Sequence, residues 1–414
     1  MQEKNKRLID NILSMGALQL VMYIFPLITA PYITRVIGVE NYGLVAFANS
    51  LIQYFVLFVD YGFELSATKK ISQNTHNQNN LSKIFSSVMF AKFILFFISF
   101  IIMLLLIIFV PKFHEIWLLI VFSFLTVVGN IFYPVWFFLG VERMRYVTYL
   151  NILSRSIFVI LLFVFIKKAD DYLWLPVLTS IGSLIAGFLS LRLAVKEFGI
   201  KLYFPKLKSM LDELKYSTQF FFTRLASYGK ANTNTFVLGL LTSNLLVGYY
   251  AAAYNIFWAI NCFTATVEVS LFPYMNKNKD LKLFKKVFFL CLLGFGLMSI
   301  FIYIFAKPII SIYYGAAMTE AYKILRIFCI TLFVQRMAGI IGYPLLGAFG
   351  HTKECNNATI YSVIIHVICL GLIVVFNKLS VYSIAYLVVF SALINILIKI
   401  CYIIKYKLLT NKAV

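Results

Sequence analysis

The chain has 414 residues, of which 62% are apolar and 13% are charged, and its mean hydropathy is +0.89. Soluble domains are roughly 45–50% apolar and about 25% charged, so this composition excludes a soluble fold and indicates a protein surrounded largely by lipid. The net charge is +21, and its meaning depends on where the cations lie relative to the apolar stretches.

Long apolar stretches predict about twelve transmembrane helices, because each can cross the ~30 Å hydrocarbon core of a membrane. The stretches are continuous rather than alternating, which favours helices over a β-barrel. In chain order the predicted spans are 12–34, 43–65, 84–110, 115–139, 149–166, 172–194, 217–241, 246–272, 287–306, 322–347, 357–376 and 381–400. The first run is long enough to be a true span, so no cleaved signal peptide is expected. Prolines within or at the ends of spans predict bent helices, at Pro26, Pro31, Pro134, Pro273 and Pro344.

Lysine and arginine are distributed unequally between the two sides of the membrane. If the N-terminus is cytoplasmic, the cytoplasmic segments carry 22 of the 37 cations, the opposite segments carry 7, and 8 lie within spans. The positive-inside rule therefore predicts that both termini are cytoplasmic. Much of the positive charge is a topological signal, so no nucleic-acid partner is expected.

Faint internal echoes suggest that the chain is duplicated. Tyr133-Pro134 with Gly140 recurs 210 residues later, and Ala46 with Asn49 recurs 206 residues later. The longest hydrophilic linker among the later spans, residues 195–216, divides the chain near its middle. We predict an N-terminal six-helix bundle at residues 1–205 and a C-terminal six-helix bundle at residues 206–414. The two are predicted to be related by a pseudo-two-fold axis along the membrane normal, with a site between them.

Cations within the spans are costly and usually face a cavity or a partner. Lys230 lies 13 residues past Ser217 and Arg336 lies 14 past Tyr322, so both are roughly 20 Å deep at about 1.5 Å per residue. Neither is expected to reach an interface, and both are predicted to line a water-filled cavity. For Lys92, Arg155 and Arg224, about two turns into their spans, cavity lining and snorkelling to the interface are both open. Cations near span ends are expected to snorkel, namely Arg192, Arg326 and Lys399.

Polar residues form a stripe on the second span and another on the eighth. The first consists of Asn49, Gln53, Asp60 and Glu64, and the second of Tyr250, Tyr254, Asn261 and Glu268. Asp60 and Glu268 are 208 residues apart, close to the repeat offsets, and are predicted to be counterparts. A polar stripe in a membrane is typical of an aqueous path. An acid–arginine ion pair that holds helices together is the alternative, and it stays open.

A cavity with net positive charge suits an anionic substrate. A pyrophosphate fits well, because arginine binds phosphate oxygens bidentately and lysine acts as a point charge. Tyrosine, asparagine and glutamine on the same faces would suit sugar hydroxyls and ring faces. The predicted substrate-binding residues are Lys230, Arg336, Arg224, Arg155, Asn49, Gln53 and Tyr254. The predicted coupling or gating residues are Asp60, Glu64 and Glu268.

The sequence contains no catalytic or metal-binding constellation. Its six cysteines include no CxxC pair, and only one of four histidines, His366, lies within a span. Paired-carboxylate motifs and a large extramembrane domain are also absent from the sequence. We therefore expect neither an enzyme nor a metal site.

Several segments resemble a known family. The run Gly38 to Asn49, leading to Asp60-Tyr-Gly-Phe-Glu-Leu-Ser-Ala-Thr68, is similar to the start of the bacterial polysaccharide transporter family. Residues 133–144 resemble its fourth-span ending, although Leu139 stands where glutamine is frequent. Residues 234–239 and 247–253 resemble its seventh and eighth spans. This family holds the O-antigen and capsule flippases of Wzx type within the multidrug/oligosaccharidyl-lipid/polysaccharide (MOP) superfamily.

The resemblance implies an all-α, MATE-like membrane fold and a function. Such proteins move undecaprenyl-pyrophosphate-linked oligosaccharides from the inner to the outer leaflet of the bacterial plasma membrane. They are thought to work by alternating access of two six-helix bundles, coupled to a cation such as H⁺ or Na⁺. Arg224 sits where the family has an arginine early in the seventh span, and Asp60 belongs to its Asp-Tyr-Gly-Phe pattern. The implied partners are the lipid-linked oligosaccharide, membrane lipid, the polysaccharide polymerase and the chain-length machinery.

The alternative function is a multidrug or cation antiporter of the same superfamily. Such a protein would prefer acidic cavity residues, so the deep cations Lys230 and Arg336 argue against it. A lipid II flippase is closer chemically, but that family resembles a longer chain of fourteen helices. A membrane scaffold or polymerase subunit would be expected to carry a long extracytoplasmic loop, whereas the external segments here are short.

Overall fold

The computed structural model describes the backbone of residues 2–408 and the side chains outside 2–15, 17–21, 23, 223 and 226–231. All regular secondary structure within 2–408 is helical. The α-helices are α1 (Gln2–Asp60), α2 (Phe63–Gln73), α3 (Gln78–Phe109), α4 (Pro111–Glu115), α5 (Trp117–Ile131), α6 (Val135–Gly140), α7 (Met144–Phe165), α8 (Trp174–Lys196), α9 (Leu207–Leu241), α10 (Asn244–Asn278), α11 (Leu281–Tyr314), α12 (Ala321–Ile340), α13 (Thr352–Val375) and α14 (Val381–Lys405). Two 3₁₀ turns, Ala169–Leu173 and Ala316–Met318, and a π-helical turn, Gly342–Gly347, complete the secondary structure.

Every predicted span coincides with helix. Ten stretches among the described residues are long and apolar enough to cross a membrane, and the first of these, Ile24–Gln73, is 50 residues long. It includes Gly38, whose φ of 81° and ψ of 173° are not helical, so α1 consists of two helical segments. The predicted seventh span corresponds to α9, which is not among the ten. The protein is therefore an all-α, multi-pass membrane protein.

The chain divides into two compact units, residues 1–236 and 237–414, and the division falls within α9. In the N-terminal unit, α1 packs against α3, α5 and α7, while α8 packs against α5 and α7. Small residues allow two of these helices to approach closely, because a Cβ at Gly182 would lie 2.5 Å from the Ser154 carbonyl oxygen. Close contact through small residues is the usual way in which helices associate in lipid. The predicted boundary at residues 205 and 206 stays a prediction.

In the C-terminal unit the central helix is α12, which packs against α10, α11 and α14. It is the predicted tenth span, and 13 of its 20 residues are buried. Helix α13 packs against α14 on the outside of this core.

Three predicted spans are interrupted or change helix type rather than merely bend. The fourth span is broken between α5 and α6 at Pro134, which lacks an N–H and disturbs the preceding helix. The second span is broken after Asp60, where Tyr61 and Gly62 have φ values of 41° and 74°. The tenth span changes to the π-helical turn around Pro344. Each break lies close to the intramembrane charges described next.

Candidate functional site

The first charged site joins the broken second span to the third. Lys92 on α3 is only 1% exposed, and its Nζ lies 2.8 Å from Asp60 Oδ1 at the end of α1. The same ammonium donates a hydrogen bond of 3.2 Å to the carbonyl oxygen of Asn130. Because Pro134 has no N–H, that carbonyl lacks the usual donor four residues later. Lys92 therefore neutralises an acid and also adds to the longer 3.4 Å hydrogen bond that the Tyr133 N–H donates to this carbonyl at the helix break.

A second ion pair lies one turn beyond Asp60. Arg224 Nη1 on α9 is 2.6 Å from Glu64 Oε2 on α2. Helix α9 approaches very closely here, because a Cβ on Gly62 would lie 2.7 Å from the backbone nitrogen of Phe221. The positive φ of Gly62 and this close approach explain why the helix does not continue from Asp60 to Glu64. The predicted continuous stripe from Asn49 to Glu64 was therefore wrong at its last member.

The third charged site lies inside the C-terminal unit. Arg336 on α12 is 5% exposed, and its Nη1 lies 2.7 Å from Glu268 Oε1 on α10. The contact is an ion pair whose angles are not those of a hydrogen bond. Glycine at position 339 makes room for it, since a Cβ there would overlap the Glu268 carboxylate. For the stripe that contains Glu268, an acid–arginine ion pair is the open alternative to an aqueous path, and in the structure Glu268 has such a pair with Arg336.

Lys399 completes this third site. It is 6% exposed, and its Nζ donates a 3.0 Å hydrogen bond to the carbonyl oxygen of Ala338. Arg336 and Lys399 are the two cations that attract the Glu268 carboxylate electrostatically. The expectation that Lys399 snorkels was wrong, because α14 continues to Lys405 and the side chain turns inward. We call Glu268, Arg336 and Lys399 the C-terminal charge cluster, which has two cations and one acid.

The sites in the two units follow one plan with a different source for the lysine. In each unit an acid is followed 70 residues later by a residue whose carbonyl oxygen accepts a hydrogen bond from a lysine. Asn130 follows Asp60 of the second span in this way, and Ala338 follows Glu268 of the eighth. Both carbonyls precede the proline-disturbed end of the fourth or tenth span. The N-terminal lysine comes from the third span and the C-terminal lysine from the twelfth. Asp60 and Glu268 therefore occupy corresponding surroundings, although their cationic partners do not correspond in sequence.

The remaining predicted binding residues have varied surroundings. Asn49 and Gln53 are exposed. Arg155 is half-buried, and one of its guanidinium nitrogens lies 3.5 Å from Met22 Sδ. The Tyr254 ring stacks between Tyr250 and Trp258 and also meets Phe328 of α12 edge-on. The Lys230 side chain lies outside the described residues, so its predicted role stays a prediction.

Ion pairs of this kind can hold two helices together and can also be broken when another ion replaces one partner. Removing two charges from water costs several kcal/mol per ion, which mutual attraction and further hydrogen bonds must offset. A pair of this kind is therefore sensitive to anything that neutralises one partner or competes for the other. The acid in each of the three sites is the more exposed partner, at 24% for Asp60, 42% for Glu64 and 21% for Glu268. An incoming cation would thus reach the pairs through their carboxylate ends.

Comparison with known proteins decides the family. The family model described as "Polysaccharide biosynthesis protein" matches residues 8–279, well over half of the chain. The chain belongs to this polysaccharide biosynthesis protein family. The resemblance noted in the sequence is thereby confirmed.

Curated relatives match most of the length of this polysaccharide biosynthesis protein. A protein of Escherichia coli (strain K12) named "Putative O-antigen transporter" is 27% identical over 358 residues, which are 84% of this chain and 86% of the relative. A protein of Shigella dysenteriae with the same name is 26% identical over 267 residues, which are 64% of this chain and 67% of the relative. The names are those of transporters, in agreement with the prediction that the chain is not an enzyme.

Solved structures with low sequence identity share the fold. The lipid II flippase MurJ in an inward closed conformation superposes with a TM-score of 0.70 at 17% identity, covering 96% of this chain and 87% of that one. A multidrug resistance MATE family transporter of the MOP superfamily, in an inward-facing conformation, also gives 0.70 at 14% identity, with coverages of 96% and 99%. The predicted all-α, MATE-like fold class is confirmed.

Proposed function

We propose that this protein is a flippase for undecaprenyl-pyrophosphate-linked oligosaccharides, such as an O-antigen or capsular repeat unit. The observation that carries the proposal is the alignment with the Escherichia coli relative, which extends over 84% of this chain and so includes both units. Family membership and a fold shared with a lipid II flippase support it. A sugar pyrophosphate cannot cross hydrocarbon unaided, whereas its isoprenoid tail can remain in the lipid.

The paired charges give the proposal a mechanism. Each arginine binds either its carboxylate or the pyrophosphate, because a guanidinium pairs equally well with carboxylate and phosphate oxygens. Arg336 alternates between Glu268 and the pyrophosphate, and Arg224 alternates between Glu64 and the pyrophosphate. When H⁺ or Na⁺ neutralises Glu268, the C-terminal charge cluster gains positive charge and attracts the anionic headgroup. When the cation leaves, the carboxylate recovers Arg336 and the headgroup is released. Such an exchange couples headgroup movement to a cation by alternating access, and Asp60 acts on Lys92 in the same way.

The cellular setting follows from the charge distribution and the proposed substrate. With 22 cations on one side and 7 on the other, both termini face the cytoplasm of the bacterial plasma membrane. The substrate then enters from the inner leaflet, where lipid-linked repeat units are assembled. A polysaccharide polymerase and its chain-length machinery are the partners that would use the product on the outer side.

A multidrug or cation antiporter is the second candidate, since the MATE family transporter has the same TM-score as the lipid II flippase. Its cargo would need an acidic site. Among the described residues, however, Asp60, Glu64 and Glu268 each have a cationic partner within 2.8 Å. The flippase is therefore the function that the charges support better.

A gene deletion complemented with variants tests the proposal. The deletion strain is expected to lose surface glycan and to accumulate lipid-linked repeat units on the cytoplasmic side, and the wild-type gene is expected to restore both. Arg336→Gln is expected to restore neither, whereas Arg192→Gln, which changes an exposed arginine on α8, is expected to restore both at matched membrane levels. Normal surface glycan in the deletion strain together with increased sensitivity to cationic drugs would sink the flippase and favour the antiporter.

A further inference from the structure

A shallow groove lies along an exposed face of α10 near its C-terminal end. Its volume is about 410 Å³, within the range of sites that hold small ligands. It is lined by Thr266, Val267, Ser270, Leu271, Tyr274 and Val287. The hydroxyl-bearing residues follow one another at four-residue intervals, so the groove runs for roughly 12 Å along one helix face. None of these residues belongs to the charged sites described above.

The groove ends at the most basic turn of the C-terminal unit. Five exposed lysines occur within ten residues there, namely Lys277, Lys279, Lys282, Lys285 and Lys286. The single acid between them, Asp280, accepts hydrogen bonds of 3.0 Å from the backbone nitrogens of Lys282 and Leu283 and thereby caps α11. The turn is therefore strongly cationic.

Three of these lysines stand where a helix disfavours them. Lys282, Lys285 and Lys286 lie in the first two turns of α11, whose first turn contains no acidic residue. The positive end of the helix dipole is there, and Asp280 is the one acid near it among residues 277–286, so a further anion would favour the lysines. The lysines are also close to the groove, since Lys277 follows Tyr274 by one turn and Lys286 precedes Val287 directly.

We propose that this groove and the lysines at its end bind one anionic phospholipid of the bilayer, with the phosphate on the lysines and one acyl chain in the groove. Clusters of four to eight basic residues at the end of a membrane-spanning helix are typical of anionic-lipid recognition. The exposed apolar residues Phe289 and Leu290 on the next turn of α11 extend the apolar surface beside the groove. A resident lipid at this position would hold α10, which carries Glu268, against α11.

The assignment to a phospholipid follows from the form of the site. A groove along the outside of two adjacent helices accommodates a single chain, and the lysines offer several point charges without an arginine fork, which suits a phosphodiester. Two aspects distinguish it from a purely topological cluster of lysines. It adjoins a shallow groove lined by apolar and hydroxyl-bearing side chains, and it places cations at a helix N-terminus. The proposal does not depend on which substrate the protein transports.

Lipid titrations of the purified full-length protein test the proposal. Thermal unfolding in a neutral detergent is followed as dioleoyl phosphatidylglycerol, dioleoyl phosphatidylcholine or the short-chain dihexanoyl phosphatidylglycerol is added. Wild type is expected to be stabilised by the long-chain anionic lipid and far less by the other two. The double variant Lys277→Gln/Lys286→Gln is expected to bind roughly 25-fold more weakly, since each lysine near an anionic headgroup contributes roughly fivefold.

A matched control and a groove variant separate charge from shape. The double variant Lys206→Gln/Lys208→Gln removes two exposed lysines beside the start of α9 and is expected to bind within twofold of wild type. Ser270→Leu fills the groove without changing charge and is expected to weaken binding of the long-chain lipid at least tenfold. Thr266→Leu serves the same purpose if Ser270→Leu does not fold.

Three results would overturn the proposal. Equal losses in the two lysine double variants would mean a general surface-charge effect. Unchanged binding in folded Ser270→Leu and Thr266→Leu would remove the groove from the site. Displacement of phosphatidylglycerol from wild type by an equimolar amount of undecaprenyl pyrophosphate would assign the site to the isoprenoid lipid instead.

Discussion

Neutralising single members of the C-terminal charge cluster should have unequal effects on stability. Glu268→Gln leaves Arg336 and Lys399 buried together without an acid, and these two cations act unfavourably on each other. Arg336→Gln leaves one acid with one cation, so the cluster becomes neutral. Removing one partner of a buried pair generally costs ~3–5 kcal/mol. We expect about 4 kcal/mol for Glu268→Gln, and about 2 kcal/mol for Arg336→Gln because Lys399 still compensates the carboxylate.

The double variant gives the coupling energy. Glu268→Gln with Arg336→Gln leaves only Lys399 charged, so its cost should be about 3 kcal/mol less than the sum of the single costs, near the upper limit for neighbouring residues. Helical circular dichroism during titration with SDS in mixed micelles measures the free energies of unfolding. Lys323→Gln is the control, because its ion pair with Glu320 at the start of α12 is 2.6 Å long but exposed, and no change is expected.

Two results would refute this reasoning. If Glu268→Gln destabilises no more than Arg336→Gln, the second cation does not act on the acid. If the single costs simply add, Glu268 and Arg336 are not energetically coupled. The account of one acid shared by two cations would then be wrong.

Further predictions concern the glycines that leave room beside the charged sites, and the Lys92–Asp60 ion pair. Gly339→Ala should destabilise by about 1–3 kcal/mol, because the new methyl group overlaps the Glu268 carboxylate. The control Gly294→Ala on α11, where a Cβ meets nothing within 4 Å, should be neutral or stabilising by up to about 1 kcal/mol, and the same SDS titration compares them. Gly62→Ala combines a positive φ with a backbone clash and should lower the yield of folded protein in size-exclusion chromatography, whereas Gly371→Ala should not. Lys92→Met should abolish complementation in the deletion strain, because it leaves Asp60 without its cationic partner. Adding Asp60→Asn removes that unpaired charge and should restore part of the folded protein level.

The sequence alone predicted the helices well because hydropathy is a local property. Every predicted span falls on helical segments, and two of the prolines that predicted bends, Pro134 and Pro344, lie at the break in the fourth span and in the π-helical turn of the tenth. Breaks that depend on a neighbour were missed. The turn at Gly62 exists because the backbone of α9 comes so close that a Cβ on this residue would overlap it. The α9 residues in this contact are about 160 positions later in the chain.

Charge partners were the part that the sequence could not predict. Its depth in the predicted span marked Arg336 as unusual, and the side chain is 5% exposed in the structure. Depth alone could not show that Glu268 lies 2.7 Å from it. Lys399 was misjudged because the predicted span ended at Ile400, which put the lysine at a helix end. Helix α14 extends five residues further, so that lysine lies within the bundle and turns toward the broken tenth span. The feature of the sequence that indicates the role of Lys399 is the pattern of an acid and a proline in the N-terminal half. There Lys92, on a different helix, makes the corresponding contacts.

The most direct test of the central claim is flipping by the purified protein in liposomes. Undecaprenyl-pyrophosphate-linked oligosaccharide is placed only in the inner leaflet, and its appearance on the outside is measured by cleavage with an added glycosidase. We predict that the accessible fraction rises faster with wild type than in protein-free liposomes, and that Arg336→Gln removes the difference while Arg192→Gln does not. An equal rate with and without wild-type protein, in liposomes where the same preparation exchanges a cationic dye for H⁺ or Na⁺, would contradict the flippase assignment.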